Sequence, residues 1–330
     1  MTALPPRENP HLLGQEAAER SITDALAGGR MHHAWLITGP DGIGKATLAF
    51  RFARRLFAGG APTLHMEPTH PVFRRVAAGS HADLLTVERE WDEKKKRMKK
   101  NISAESVRTI PGFLHLTPAE GGWRAVIVDG AEDMNAASAN ALLKVLEEPP
   151  PRAVLMLVSA TPGRLLPTIR SRCRHLAMPP LTEADVQRTL ALYLPDMSPS
   201  ECATLAALAD GSPGRALALA EQGGIAIATL VREVITATPF PPLRAYEIAD
   251  ALREETAFDL FFTLLRGQIA NATTAYLRGT ADMEQARLLT QRDVQAWGGI
   301  WTRLGEIQRE TDQHNLERKQ AVVAGLALLR

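Results

Sequence analysis

Cysteine is scarce: only Cys173 and Cys202 stand in 330 residues. Two thiols exclude a disulfide framework and a four-cysteine zinc module, and they suit a reducing compartment. Charge of one sign is not in excess either, with 38 Lys and Arg against 37 Asp and Glu. No overall basic field exists, so any contact with nucleic acid must be local or made through a partner. Long apolar runs are missing. The longest, Ala321–Leu329, falls far short of the roughly 20 residues that span a bilayer. Met1–Pro10 carries prolines and charges where a signal peptide needs an apolar core. The expectation is a cytoplasmic protein without membrane contact. What is present is ordinary: 45% hydrophobic and 23% charged residues, which rules out wholesale disorder and collagen-like structure. At about 150 residues per domain the length fits two or three domains.

The first half alternates strand and helix patterns. His33–Thr38 is a short apolar run that reads as a buried strand. Lys45–Phe57 carries Leu48, Ala49, Phe52, Ala53 and Leu56 at helical spacing. Ala125–Val128 is a second strand, and Asn135–Glu148 a second helix with Ala139, Leu142, Leu143 and Leu146 on one face. Pro149-Pro150-Pro151 ends that helix, because proline cannot extend the hydrogen-bond ladder. Ala153–Val158 is a third strand. This alternation predicts an α/β fold with a parallel sheet covered by helices. Residues 58–103 read as irregular. Beyond Met178 the strand signal stops: Leu181–Ala220 reads as short helices, with Thr182 as an N-cap, and from Gly223 the pattern is helical throughout. Phe258, Phe261, Phe262, Leu265 and Ile269 form one apolar stripe; Trp297, Ile300, Trp301, Leu304 and Ile307 form another.

Between the first strand and the first helix stands Gly39-Pro40-Asp41-Gly42-Ile43-Gly44-Lys45. Strand, glycine-rich loop and helix start are the context a P-loop needs. Its glycines let backbone N–H groups wrap phosphate oxygens, and the helix N-terminus adds a favourable dipole. Lys45 would reach the β- and γ-phosphates. A glycine-rich turn that binds nothing is the plainer alternative. The nucleotide candidates are Gly39, Gly42, Gly44, Lys45, Thr47 and, at the end of the second strand, Asp129. Two positions of hydrolytic chemistry are empty. The residue after the lysine should carry a hydroxyl for Mg²⁺, and here it is Ala46. Thr47 is turned about 100° further round the helix, away from a metal. The residue after Asp129 is Gly130, where AAA+ motors place a water-polarising glutamate. Glu132 further on reads as solvated. The expectation is ATP binding without hydrolysis, and no resident metal.

Asn140-Ala141-Leu142-Leu143-Lys144-Val145-Leu146-Glu147-Glu148-Pro149-Pro150 and Thr168-Ile169-Arg170-Ser171-Arg172-Cys173 resemble the bacterial DNA polymerase III clamp-loader subunits of the AAA+ class. Three further matches accompany them. Gly14-Gln15-Glu16 resembles the family's amino-terminal nucleotide-edge segment. Gly211-Ser212-Pro213-Gly214-Arg215-Ala216-Leu217 resembles its second-sensor helix. Asn315-Leu316-Glu317-Arg318-Lys319-Gln320 resembles the final helix of its collar.

The resemblance implies a P-loop AAA+ domain over residues 1–178, a small helical lid over 179–222 and an all-α oligomerisation collar over 223–330. It implies partners as well: motor subunits of gamma/tau type, a delta-like subunit and, through the complex, the sliding clamp and primer-template DNA. Arg172 matches the family's Ser-Arg-Cys arginine, which enters a neighbouring subunit's ATP site as an arginine finger. Arg215 matches the second-sensor arginine, which reads the phosphates. Either could instead be a plain surface arginine. A damaged P-loop beside an intact Ser-Arg-Cys implies a structural subunit that donates its arginine in trans and is not itself catalytic. The alternative is an ATP-hydrolysing motor of the same fold, which would want a hydroxyl at position 46 and a carboxylate at 130. A P-loop kinase of small molecules would leave the carboxy-terminal helices unexplained, and a sequence-specific DNA binder would want a basic face.

The family often carries a four-cysteine zinc module after the P-loop helix. Here residues 58–80 hold no cysteine, and His65, His70 and His81 lack thiolate support, so no zinc is expected. The basic run Lys94–Lys100 could touch DNA phosphates. The acidic residues before it, and the absence of interleaved aromatics, make it read as a solvated hairpin tip.

Overall fold

The computed structural model describes residues 4–29, 31–59, 63–94, 96–120, 122–237 and 241–329. The chain forms two compact units, Met1–Leu217 and Ala218–Arg330.

In the first unit the strands are β1 (Ala34–Thr38), β2 (Leu84–Val87), β3 (Trp91–Asp92), β4 (Arg97–Met98), β5 (Arg124–Asp129), β6 (Ala153–Ser159) and β7 (Arg174–Ala177). Five of them make one parallel sheet in the order β2-β5-β6-β1-β7, and β3 pairs with β4 as a separate hairpin. The helices are α1 (Glu16–Ala27), α2 (Lys45–Ala58), α3 (Pro71–Ala77), α4 (Ala104–His115), α5 (Ala136–Glu147), α6 (Pro167–Arg170), α7 (Glu183–Tyr193), α8 (Pro199–Leu208) and the first half of α9 (Pro213–Glu221), which the unit boundary at Leu217 divides. Central strands buried on both faces need continuous apolar sequence, which Ala125–Val128 and Ala153–Val158 supply. Alternate residues then serve opposite faces. Leu36, Val126, Val128, Leu155 and Leu157 pack with Val107 and Ile110 of α4 and Leu142 and Leu146 of α5. On the other face Trp35 meets Phe52 of α2 edge to face, ring centroids 5.6 Å apart.

The strand–helix–strand order expected between residues 33 and 159 is present, with ends shifted by one or two residues. The expectation of irregular structure over 58–103 is corrected: α3, β2 and the β3–β4 hairpin lie there. β7 was not expected, nor was α4. β2 and β7 are four-residue edge strands, and in β7 only Leu176 is buried, so neither leaves an apolar run to read. α4 holds Pro111 inside it, where proline ordinarily signals a break. Lys95 of the basic run lies outside the described residues.

The second unit is helical: α10 (Gly224–Thr236), α11 (Pro242–Ala251), α12 (Glu255–Leu277), α13 (Met283–Thr290), α14 (Val294–His314) and α15 (Arg318–Ala327). The first expected stripe is its core, with Phe258, Phe261, Phe262, Leu265 and Ile269 all buried on α12. The second stripe needs one correction: Trp301 is exposed, and Arg266 stacks its guanidinium 4.1 Å above that ring. Asn315 takes a left-handed φ of 48° and closes α14, so the Asn315–Gln320 segment is a turn followed by the first turn of α15. Among the described residues no helix is long and apolar enough to cross a membrane.

Candidate functional site

Parallel sheets present their ligand crevice at the carboxyl ends of the strands. Here β1 ends at Thr38 and runs into the glycine-rich loop, β5 ends at Asp129, and β6 ends at Ser159. A cavity of about 300 Å³ opens between them. Gly42, Gly44, Lys45, Ala46, Thr47 and Asp129 all line it. Gly44 stands immediately before α2 with φ 97°, so the loop turns into the helix with its first N–H groups free to meet an anion. Gly39 and Arg215 are not among the lining residues. Gly39 packs against the segment after β7 instead; a Cβ on it would fall 2.2 Å from the Met178 carbonyl oxygen.

Lys45 is buried and folded back on its own loop. Its Nζ donates to the Pro40 carbonyl at 2.7 Å and lies 3.5 Å from Asp41 Oδ1. Asp129 sits in a dry place: burial pushes its pKa up, Glu88 and Glu132 add to that, and Lys45 opposes it. Gly130 follows with φ 75°, and a Cβ there would approach Asp133 Oδ2 to 3.3 Å. Glu132 was expected in solvent, and the structure corrects this. Its Oε1 accepts the Ala160 N–H at 2.7 Å and the Thr161 N–H at 3.3 Å. Burial works against its ionisation, but these hydrogen bonds and one from its own backbone outweigh it and hold the pKa low. Oε1 is committed to the loop after β6, which fixes the β6 end of the cavity; Glu132 still lines that cavity, and its Oε2 has no hydrogen-bond partner among the described residues.

The start of α9 is pressed onto the P-loop. Ser212 Oγ donates to the Asp41 carbonyl at 2.7 Å, and the Gly214 N–H donates to the Gly42 carbonyl at 2.9 Å. Gly42, at φ 74°, has no room for a side chain, since a Cβ would fall 2.5 Å from Ser212 Oγ. Arg215, one residue on, turns away to pair with Asp210 at 2.6 Å beside a shallower groove.

The opposite wall is the amino-terminal segment, with Asn9, His11, Leu12 and Leu13 lining the cavity. Two buried arginines of α2 hold it. Arg54 donates to the Arg7 and Asn9 carbonyls at 2.6 and 3.0 Å, and Arg51 donates to the Pro10 carbonyl and pairs with Glu19 at 2.6 Å. Burial and the adjacent Arg51 bring the Arg54 pKa down to about 10. Asn9 in turn accepts the Tyr193 hydroxyl at 2.6 Å. These wall residues escape sequence reasoning because Asn9 and Tyr193 are 184 positions apart and neither belongs to a local motif.

Arg172 lies in the turn after α6. Its Nη1 donates to the Thr168 carbonyl at 2.9 Å, its Nη2 meets Glu147 Oε1 at 2.9 Å, and its side chain is 36% exposed. It does not line the chain's own cavity. Cys173 beside it is buried, which pushes its thiol up to about 12 and leaves it inert. The three histidines considered for zinc have separate structural partners: His65 meets Glu67, His70 caps α3, and His81 stacks on Phe57 at 4.0 Å.

The parallel sheet, the loop that joins β1 to α2 and the helix laid over that loop define a P-loop module of the AAA+ class. The model of the family described as DNA polymerase III, delta subunit, matches residues 14–182. The chain belongs to that family. It is 39% identical over 206 residues to DNA polymerase III subunit delta′ of Pseudomonas aeruginosa, covering 62% of this chain and 61% of that protein. It is 37% identical over 196 residues to subunit delta′ of Escherichia coli, covering 58% of this chain and 55% of that protein. Subunit gamma of Buchnera aphidicola is 27% identical over 181 residues, covering 55% of this chain and 47% of that protein. The chain thus spans less than two thirds of the length of each relative. The resemblance to clamp-loader subunits drawn from residues 140–150 and 168–173 agrees with these matches.

Proposed function

We propose that this chain is the delta′-type member of a DNA polymerase III clamp loader, a structural and arginine-donating subunit that does not split ATP itself. One observation carries the reading: Lys45 and Asp129 share a cavity in which both auxiliary positions are empty, at Ala46 and Gly130, while Arg172 stands partly exposed and away from that cavity. A cation aimed at a developing γ-phosphate charge has little to do in a site without metal ligand or water-polarising group. It has a use in a neighbour whose site is intact. The cavity of this chain would hold ATP through Gly42, Gly44, Lys45 and Thr47, with Gly39 and Arg215 contributing only after the loop and lid rearrange. The partners are gamma/tau-type motors and a delta-type subunit. The helical region from Gly223 serves assembly, the lid runs from 179 to 222, and the work is done in the cytoplasm on the sliding clamp and primed DNA.

The test is reconstitution. The purified chain is mixed with motor and delta-type subunits, and DNA-stimulated ATP turnover and clamp loading are measured with and without it. The proposal requires assembly and stimulation; robust magnesium-dependent turnover by the chain alone, lost in Lys45→Ala, would falsify it.

A further inference from the structure

Six of the chain's 38 basic residues fall within Lys94–Lys100; without them the balance would be 32 against 37, a negative protein. The structure gives this concentration a shape. β3 and β4 form an antiparallel hairpin in which Trp91 pairs with Met98 and Asp92 with Arg97. Lys96, at φ 47°, turns the chain at the tip. Side chains alternate across a strand, so Trp91 and Met98 share one face. That face is open, with Trp91 51% and Met98 43% exposed. Lys94, Lys96, Arg97 and Lys100 are exposed as well, and none forms an ion pair among the described residues.

The base of the hairpin is fixed. The Lys99 N–H donates to the Glu90 carbonyl at 2.8 Å. The Glu90 carboxylate takes Lys99 Nζ at 2.5 Å on one oxygen and the Ser106 hydroxyl at 2.8 Å on the other, which ties the hairpin to the first turn of α4. An isolated two-stranded hairpin is marginal in water; this one is anchored at its base, so its backbone is ordered before binding and only the cationic side chains have freedom left to lose. An exposed tryptophan on one face of a hairpin whose tip, opposite face and base carry cations matches the chemistry of an unpaired nucleic-acid strand, whose phosphates take the charges and whose bases stack on the ring.

We propose that the β3–β4 hairpin is a contact for single-stranded nucleic acid, with Lys94, Lys96, Arg97 and Lys100 on phosphates and the Trp91–Met98 face under a base. The inference goes beyond the clamp-loader reading and needs no partner subunit. It is tested on the full chain alone, so its failure leaves the assembly experiment untouched, and failure of assembly leaves this one untouched.

The experiment is fluorescence anisotropy with a labelled oligothymidine of about 16 nucleotides, the matching duplex, and labelled polyglutamate, across salt. Four phosphate contacts on a single strand predict a log–log salt slope of about −2.8, or about 50-fold weaker binding between 50 and 200 mM salt. Replacing Lys94, Lys96, Arg97 and Lys100 together with Ala should remove that slope. Trp91→Ala should weaken single-strand binding at least about fivefold with the slope kept, and Trp91→Phe should restore most of it. Unchanged affinity in the quadruple or the Trp91→Ala variant overturns the proposal. So does duplex binding tighter than single-strand binding, or polyglutamate binding that matches oligothymidine, which would make the hairpin a plain electrostatic contact or one for acidic protein.

Discussion

Arg172 and Glu147 are joined across two elements: Nη2 of the arginine in the turn after α6 meets Oε1 of the last residue of α5 at 2.9 Å. Both side chains are more than a third exposed, so the pair adds at most about 1 kcal/mol to stability. Its effect is on direction. With Nη1 held by the Thr168 carbonyl and Nη2 by Glu147, the guanidinium plane is fixed at two of its corners.

Arg172→Ala is therefore expected to leave folding and complex assembly unchanged and to lower turnover at one partner ATP site by about 10³-fold or more. Arg172→Lys should rescue poorly, because a point charge does not reproduce the planar fork. Steady-state ATPase of the reconstituted complex, with one intact motor site at a time, reads this out. Wild-type turnover in the alanine variant would leave the chain a purely structural subunit.

The chain alone should show no magnesium-dependent ATP turnover above that of Lys45→Ala. Restoring a hydroxyl with Ala46→Thr should tighten Mg–ATP binding, measured by calorimetry, and still yield no turnover, since Gly130 offers no carboxylate. Turnover in the single variant would mean that another group polarises the water.

The contact of α9 with the P-loop makes Gly42 sensitive. Gly42→Ala places a Cβ on a left-handed backbone, costing about 1–2 kcal/mol, and displaces the Ser212 hydroxyl, whose hydrogen bond to Asp41 is worth about 1 kcal/mol. Ser212→Ala should lose the two bonds of that hydroxyl, to the Asp41 carbonyl and from the Arg215 N–H, without the backbone cost. Urea unfolding followed by circular dichroism compares them, and equal midpoints for the two variants would contradict the packing argument.

Glu132 gives an acid-dependent stability term. Its folded pKa lies below the usual carboxylate value, so its contribution is complete above about pH 4.5 and is lost as pH falls through the lower folded value. Glu132→Gln should be less stable than the parent near neutrality, and the gap should narrow as pH falls below about 4.5. A gap independent of pH would show that the carboxylate's charge plays no part in holding Ala160 and Thr161.

The central strands and their helices were legible because burial on both faces writes an unbroken apolar run, and the P-loop was legible because its glycines and lysine are contiguous. What stayed hidden is non-local or marginal. β2 and β7 need few apolar residues at the sheet edges. Pro111 masks α4. The fate of Glu132 depends on N–H groups 28 and 29 positions away. Arg215 matched a motif, yet Asp210 and the packing of α9 on Gly42 decide where its side chain points. Asn9, Arg51 and Arg54 build a wall of the cavity through backbone carbonyls, which carry no sequence signature at all.

The backbone at Gly130 makes a carboxylate at that position costly to acquire. Any residue with a Cβ must adopt the left-handed backbone there and crowd Asp133, so a mutation to glutamate arrives with a cost of about 1–2 kcal/mol. Alone it gains nothing while Ala46 supplies no metal ligand. On the proposed reading, a route to an active ATPase would pass through variants that are less stable and no more active. On the proposed reading of a non-hydrolysing, arginine-donating subunit, the backbone at Gly130 works as a ratchet: selection would refine Arg172 without competition from a nucleotide site of the same chain.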